Sequence, residues 1–542
     1  MGKAWELRLY RYAELDAFCK AIPNEKNTRT SKPGKRNLSY TNHTYLAGMK
    51  WALLSVWDKT GIVNLAGILQ DHQVGIISSG GTARMLHEHG ILVVEVSAYT
   101  GFPEMMDGRV KTLHPRIHGG LLGRRGIDDQ VMAAHGIYPI DLLVANLYPF
   151  EQMRLQPLTF EEMIEFIDVG GPAMIRAAAK NHRDVAVIVD PVDYPLVIES
   201  IGRGGFTAED RLSLAKKAFA RTAAYDAAIS NYLSSQGREF PEVLSVQFKN
   251  GRALRYGENP HQKAAVYGEK GVAGAIPLQG KMMSYNNYLD VHAAVSLLRE
   301  FSDCCTVIVK HNNPCGVAIG DTPLESYIAA RDVDPISAYG SIVAFNRKVD
   351  EATARELSLT FVEVIIAPAY ATEAMSVFSR KENVRVLLLP PPGPDMELRA
   401  IDGGILAQIT SPYQENWKIV SSRSPDPREL QAMEFAWKVC KFTRSNAIVF
   451  SNARRTLGIG AGQTSRVDAA KIAIMKARES LRDSVVASDA FLPFPDTLEV
   501  AAEAGATALV QPGGSIRDAE VIGAANRLNL AMVFTGIRYF RH

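Results

Sequence analysis

The chain has 542 residues, 47% of them apolar and 22% charged, with a formal net charge of +2. That length exceeds one ordinary core and favours two or more globular domains, while the near-balanced charge gives no reason to expect a nucleic acid or a membrane surface as partner, since either calls for a strongly basic face. Five cysteines (Cys19, Cys304, Cys305, Cys315, Cys440) form no C-x-x-C pair, the pattern of a reduced, cytoplasmic chain without a disulfide framework, and no apolar run reaches the roughly 18 residues of a spanning helix.

Residues 1–48 carry no helical or strand period, and from Asn24 to Ser39 they are rich in Lys, Arg, Asn, Thr and Pro. They are expected to form a mobile extension without chemistry, and Lys3, Glu6, Arg8 and Arg11 interrupt any signal-peptide centre. From residue 49 the pattern becomes strand, turn, helix. Trp51–Val56, Val74–Ser78, Ile91–Val96, Asp141–Asn146 and Val185–Val189 read as buried strands, with the first helix at Ile62–Gln70. Buried strands alternating with helices indicate a parallel sheet covered on both faces, whose ligands collect at the carboxyl ends of the strands. The pattern breaks at Gly237–Asn250, which places one domain at 49–245 and a second at 246–542. The second half alternates again (Thr306–Lys310, Gly340–Phe345, Val362–Ile366, Asn446–Phe450, Ser484–Ala487, Ala508–Gln511, Ala531–Phe534), so it too reads as α/β. No internal repeat stands out.

Two strand-to-helix turns of the first domain, Ser55 to Thr60 and Ser78 to Thr82, carry hydroxyls and glycines, and the first also carries Lys59. Backbone N–H groups at a helix start, reinforced by Ser or Thr, make a phosphate site; one such turn is weak, two on neighbouring strands are not. The loop Asp107-Gly108-Arg109-Val110-Lys111-Thr112-Leu113-His114-Pro115 fixes its backbone with Gly and Pro and presents donors for an anion. Asn146-Leu147-Tyr148-Pro149-Phe150 and Asp168-Val169-Gly170-Gly171, the latter leading into a helix with Lys180, complete the set. Histidines are present, but no H-E-x-x-H or comparable set appears, so no metal is expected.

In the second domain four segments stand out: Leu254–Gln262 (LRYGENPHQ), Val309–Gly316 (VKHNNPCG), Ser445-Asn446-Ala447, and the glycine-rich Gly458–Arg466. The last lacks the G-x-G-x-x-G spacing of a dinucleotide site. Lys310-His311 at a strand end is the sharpest point. Cys315 beside it reads as a small buried residue rather than a nucleophile, and the zinc-deaminase signature is broken, because no H-x-E and no second cysteine accompany Pro314-Cys315.

These residues carry a resemblance. SVWDKTG, SSGGTA, DGRVKTLHP, NLYPF and DVGGPAMIRAAAKNH together resemble an IMP cyclohydrolase domain, whose fold is similar to methylglyoxal synthase. LRYGENPHQ, VKHNNPCG and the ending GIRYFRH resemble an AICAR transformylase domain, whose fold is similar to cytidine deaminase without its zinc. The resemblance implies the bifunctional family that formylates aminoimidazole carboxamide ribotide (AICAR) and closes formyl-AICAR to IMP. By it, Lys111, Tyr148, Asp168 and Lys180 are the ring-closing residues, with Ser55, Lys59, Ser79, Gly80, Thr82, Arg109, Thr112, Gly170 and Gly171 holding the ribotide. Lys310, His311 and Asn446 carry formyl transfer; Arg255, Tyr256, Tyr339, Gly340, Glu363, Gln463, Arg466 and Arg538 bind nucleotide; Pro493, Phe494 and Asp496 contact folate. Trp57 and Tyr339 depart from the residues common in the family. The resemblance further implies a homodimer, 10-formyltetrahydrofolate as co-substrate, no tightly bound cofactor, and leaves a monovalent cation open. The rival reading, a nucleotide-binding regulatory protein with degenerate sites, calls for loss of Lys310, His311, Lys111 or Lys180, and all four are present.

Overall fold

A computed structural model describes residues 50–236, 239–393, 396–410 and 415–542; the expected N-terminal extension lies outside the described residues. The chain divides between Gln247 and Phe248 into two compact units.

The first unit is built on β1 (Trp51–Ser55), β2 (Gly75–Ser78), β3 (Val94–Glu95), β4 (Leu142–Ala145) and β5 (Ala186–Ile188), ordered β3-β2-β1-β4-β5 with every neighbouring pair parallel. The central strands are apolar except for the serines that end β1 and β2, as strands covered on both faces require, and Ala52, Leu53, Leu142 and Leu143 are wholly buried. The run at Ile91–Val96 yields only the two-residue β3, since it lies at the sheet edge and the chain enters a helix at Val96. Helix Gly80–Glu88 follows β2 directly, and helix Gly170–Lys180 lies in the core cluster through Met174, Ile175, Ala178 and Ala179. A 27-residue helix, Ala208–Ser234, starts on a capping box in which Thr207 and Asp210 satisfy each other's backbone.

One buried charge staples this unit. Arg125, its side chain 8% exposed, donates to Gly123 O at 2.6 Å, to Ile140 O at 2.9 Å and to Asp141 Oδ1 at 3.4 Å. The Oδ2 atom of Asp141 accepts from the backbone N–H of Lys50 at 2.8 Å. Burial pushes the Asp141 carboxyl above the ordinary range, and Arg125 and the backbone donors oppose that shift. Removing one partner strands the other's charge and the carbonyls. Arg125→Leu is therefore expected to destabilise the first unit by about 3–5 kcal/mol, read as a lower denaturant midpoint for that unit.

The second unit contains two mixed sheets of the same design. The first comprises β6 (Cys305–Lys310), β7 (Asn313–Ile319), β8 (Ser341–Phe345), β9 (Val362–Ala367) and β10 (Arg385–Leu388), ordered β10-β9-β8-β6-β7. The other comprises β11 (Ile448–Ser451), β12 (Thr456–Gly460), β13 (Val485–Ser488), β14 (Ala508–Gln511) and β15 (Ala531–Phe534), ordered β15-β14-β13-β11-β12, with Lys418–Ile419 added beyond β15. In each, a helix (Tyr285–Leu298 or Pro427–Lys441) precedes an antiparallel hairpin, whose first strand is also antiparallel to the third, and the third to fifth strands are parallel. The repeat that the sequence hides is thus present in the topology. The expected strands form, within mixed sheets.

Side chains of alternate residues serve two cores. Val307, Val309, Val485 and Ala487 face one cluster shared by both sheets, while Ile308 and Val486 face separate outer clusters, as a period of two requires. The glycine-rich segment has a packing role: a Cβ on Gly460 would lie 1.8 Å from Ala469 O, and one on Gly458 2.3 Å from Ala473 O. These glycines let helix Arg466–Lys476 lie against β12. The two sheets meet edge to edge: Ile319 N donates to Arg454 O at 2.7 Å, and Ala318 bridges Arg455 in antiparallel sense.

Candidate active sites

At the carboxyl ends of β1, β2 and β4 the first unit gathers most of the expected residues. Asn146, just past β4, accepts from the N–H groups of Trp57 and Asp58 at 2.6 and 2.9 Å and donates to Asp58 O, which fixes the turn after β1. Lys59, on that turn, donates to Val56 O and, at 3.0 Å, to Thr82 Oγ1. The Thr82 hydroxyl is engaged with both the N–H and the C=O of Val56, so it shapes the site by clasping two turns. Ser79, the residue before helix Gly80–Glu88, has a buried Oγ with no hydrogen-bond partner among the described residues. With no acidic side chain in the first turn, that helix start offers donors and a positive dipole end to an anion.

Lys111 is the centre of this cluster. Its Nζ lies 3.7 Å from where a Cβ on Gly80 would stand, so a side chain at Gly80 (φ +53°) would crowd it. Burial, then the charge of Lys111, holds the Lys59 ammonium below its ordinary range. Burial raises the Asp168 carboxyl, opposed by the Gly171 N–H at 2.9 Å and by Lys111. Asp168 is anchored through its own N–H, donated to the Tyr225 hydroxyl at 2.8 Å. Thr112 Oγ1 would lie 2.5 Å from a Cβ on Gly170, which explains that glycine. Tyr148 meets the half-exposed Trp57 edge to face at 4.9 Å. Ser55 ends β1. Arg109 is exposed and paired with Glu165. Lys180 is the exposed last residue of helix Gly170–Lys180, about 15 Å along the axis from the Gly170 end at 1.5 Å per residue.

In the second unit His311 and Asn312 form the two-residue turn between β6 and β7, with φ of +51° and +62°. Lys310 donates to Tyr339 O at 2.7 Å, and the Tyr339 ring lies 5.4 Å from that of Phe361. Gly340 (φ +72°) donates to Phe361 O at 2.8 Å. Asn313 links the halves: its Nδ2 donates to His311 O at 3.3 Å, and its Oδ1 accepts from Arg444 N at 3.0 Å. Two residues on, Asn446 donates through Nδ2 to Gln463 O at 2.9 Å. Lys310 ends β6, and Gln463 follows β12. Asn446 instead precedes β11, because β11 runs antiparallel to β12 and β13.

Arg466 pairs with the buried Asp489 at 3.2 Å and lies 5.8 Å over the Phe540 ring, which Arg538 also covers at 4.6 Å. Phe494 is covered by Arg517 at 4.6 Å, after the half-buried Pro493, while Asp496 starts a helix and accepts from Thr497 N at 2.6 Å. Glu363 is occupied by Arg385 at 2.7 Å. Arg255 stacks on Tyr256 at 4.7 Å; their loop is tied to helix Tyr285–Leu298 by Asn286, which donates to Glu258 O at 3.1 Å. Burial pushes the Cys315 thiol up to about 12, which keeps it protonated and argues against a thiolate nucleophile. Among the described residues, no group of three or more His, Cys, Asp or Glu could hold a metal ion, and no helix is long and apolar enough to cross a membrane.

The family model described as the AICARFT/IMPCHase bienzyme matches residues 178–476, more than half of the chain, and the MGS-like domain model matches residues 61–173. The chain belongs to the AICARFT/IMPCHase bienzyme family. Relatives of the bienzyme include proteins named bifunctional purine biosynthesis protein PurH. That of Magnetococcus marinus is 50% identical over 532 residues, covering 92% of this chain and 100% of its own. Those of Myxococcus xanthus and Sorangium cellulosum are 50% and 49% identical, covering 91% of this chain and 100% and 99% of their own. The MGS-like match lies on the parallel-sheet unit of the bienzyme. Sequence reasoning passed over Asn313 and Arg517, which the structure places in contact with expected residues. Asn313 lies inside the motif that drew attention to Lys310, whereas nothing local marks Arg517.

Proposed function

We propose that the two reactions of the bienzyme are divided between its units, ring closure in the first and formyl transfer in the second. The chain is a bifunctional AICAR transformylase and IMP cyclohydrolase of purine biosynthesis. What supports the division is that each unit has its own cluster of proton-handling side chains, one around Lys111 and Asp168 and one around Lys310-His311.

In formyl transfer, the amine of AICAR attacks the formyl carbon of 10-formyltetrahydrofolate and loses a proton, while the bond from that carbon to the folate nitrogen breaks. The amine is a weak nucleophile, its lone pair delocalised into the ring, so a general base, the His311 imidazole, assists it. Lys310 stabilises the tetrahedral oxyanion or supplies the proton to the departing folate nitrogen, and Asn446 orients the amine. Arg466, Arg538, Arg255 and Tyr256 serve the nucleotide; Pro493, Phe494 and Asp496 serve the folate.

In ring closure, the carboxamide nitrogen attacks the formyl carbon of the same molecule and water is then lost. Asp168, its carboxyl raised by burial, takes the amide proton, and Lys111 stabilises the oxyanion. The helix start at Ser79 and Gly80, with Lys59, binds the phosphate. Holding both reacting ends of one molecule supplies much of the advantage. No cofactor is consumed in this half. We assign the enzyme to the cytoplasm and to a homodimer; Asp489, whose buried Oδ2 has no hydrogen-bond partner among the described residues, supports a monovalent cation in the second unit.

Purified protein mixed with AICAR and 10-formyltetrahydrofolate is expected to yield tetrahydrofolate and IMP together, followed by absorbance and chromatography. Absence of both products would overturn the assignment. Release of tetrahydrofolate with accumulation of formyl-AICAR would remove the cyclohydrolase role alone.

A further inference from the structure

The turn that carries His311 holds two successive non-glycine residues in the left-handed region. Lys310 pairs with Asn313 across it, and the two residues between them both have positive φ, the mark of a type I′ hairpin, where Asn-Gly or Asp-Gly is the usual choice. Here a histidine and an asparagine take the places; both are among the side chains found there more often than most, yet each carries a Cβ that makes the left-handed region costlier than it is for glycine. Something must hold it there.

The carboxylate of Asp290 lies beneath the turn. Asn312 N donates to its Oδ1 at 2.6 Å, and the His311 N–H also hydrogen-bonds to it. Two successive N–H groups of left-handed residues form a concave anion-binding nest, and Asp290 fills it from helix Tyr285–Leu298, whose Val291, Ala294, Val295 and Leu298 are buried in the core that also holds Val307 and Val309 of β6. The carboxylate is half-buried, so few waters can replace it at those donors.

We infer that Asp290 is a positioning residue for formyl transfer, fixing the left-handed His311–Asn312 turn so that the imidazole is presented in one orientation. This rests on His311 being the transfer base. A shift of the turn by about an ångström is enough to cost on the order of 10²-fold in rate, so the effect falls on kcat rather than on substrate binding.

Asp290→Ala in the full chain is expected to lower kcat for formyl transfer by at least about tenfold, with KM for AICAR and the cyclisation of preformed formyl-AICAR little changed. Asp290→Asn keeps an acceptor oxygen and should retain most of the rate. Adding Asn312→Gly to Asp290→Ala should restore much of the loss, since glycine takes a positive φ without cost. Should the alanine variant fold poorly, Asn312→Val supplies the second probe: it leaves the carboxylate in place, opposes the left-handed turn, and is expected to depress kcat likewise. Wild-type kcat in both Asp290→Ala and Asn312→Val would overturn the inference, as would equal losses in Asp290→Ala and Asp290→Asn with no rescue by glycine. If His311→Ala itself keeps full formyl transfer, the reading of His311 fails instead, whatever the Asp290 variants do.

Discussion

His311→Ala is expected to lower formyl transfer by about 10²–10⁴-fold, the range general-base assistance contributes, while cyclisation of preformed formyl-AICAR proceeds at its normal rate. The reason is chemical and spatial. An amine conjugated with an imidazole and a carboxamide does not attack a formyl group unless its proton is removed as the bond forms, and His311 supplies the imidazole of the VKHNNPCG segment. The ring-closing cluster belongs to another compact unit with its own core. Assaying the two half-reactions separately on one preparation checks this. Loss of both activities together would mean that the sites are not separable.

Lys111→Ala is expected to do the reverse, lowering cyclisation by about 10²–10³-fold, as removal of one oxyanion donor does, with formyl transfer retained. Lys111 neighbours Gly80 and acts on both Asp168 and Lys59, so its loss removes the charge that stabilises developing negative oxygen and leaves Asp168 harder to ionise. The acidic limb of the cyclisation profile should therefore move to higher pH in the variant: the folded-state carboxyl is already raised by burial, and removing Lys111 takes away a term that lowers it. The rate is then lost at a higher pH as the solution is acidified.

Much of the first unit is legible along the chain. Its strands are short apolar runs, the β1 and β2 turns end in hydroxyls and glycines, and parallel topology sends all the carboxyl ends to one side, so residues after different strands converge. The second unit is less legible. Strands β7, β10 and β12 gave no separate signal, because β7 and β12 carry glycine, proline or threonine where glycine admits a helix backbone or an edge needs no bulk. The repeat is invisible for the same reason: topology constrains where apolar residues fall, not which ones they are.

By itself the sequence determined the chemistry available: the paired lysines and aspartate of the first unit, the Lys310-His311 pair, and the absence of a metal-ligand or dinucleotide pattern. Only the tertiary structure decided which of these meet. Because β7 and β12 join edge to edge and antiparallel, the hairpin turn of the first repeat lies beside the start of β11 in the second. Asn446, 135 positions after His311 in the chain, is thereby linked to it through Asn313 and the Arg444 backbone. Asp290 stands 21 positions before His311 and is brought under its turn only because helix Tyr285–Leu298 packs on β6. Spacing along a chain fixes distance within one element; between elements, burial of apolar faces fixes it, and that depends on every strand at once.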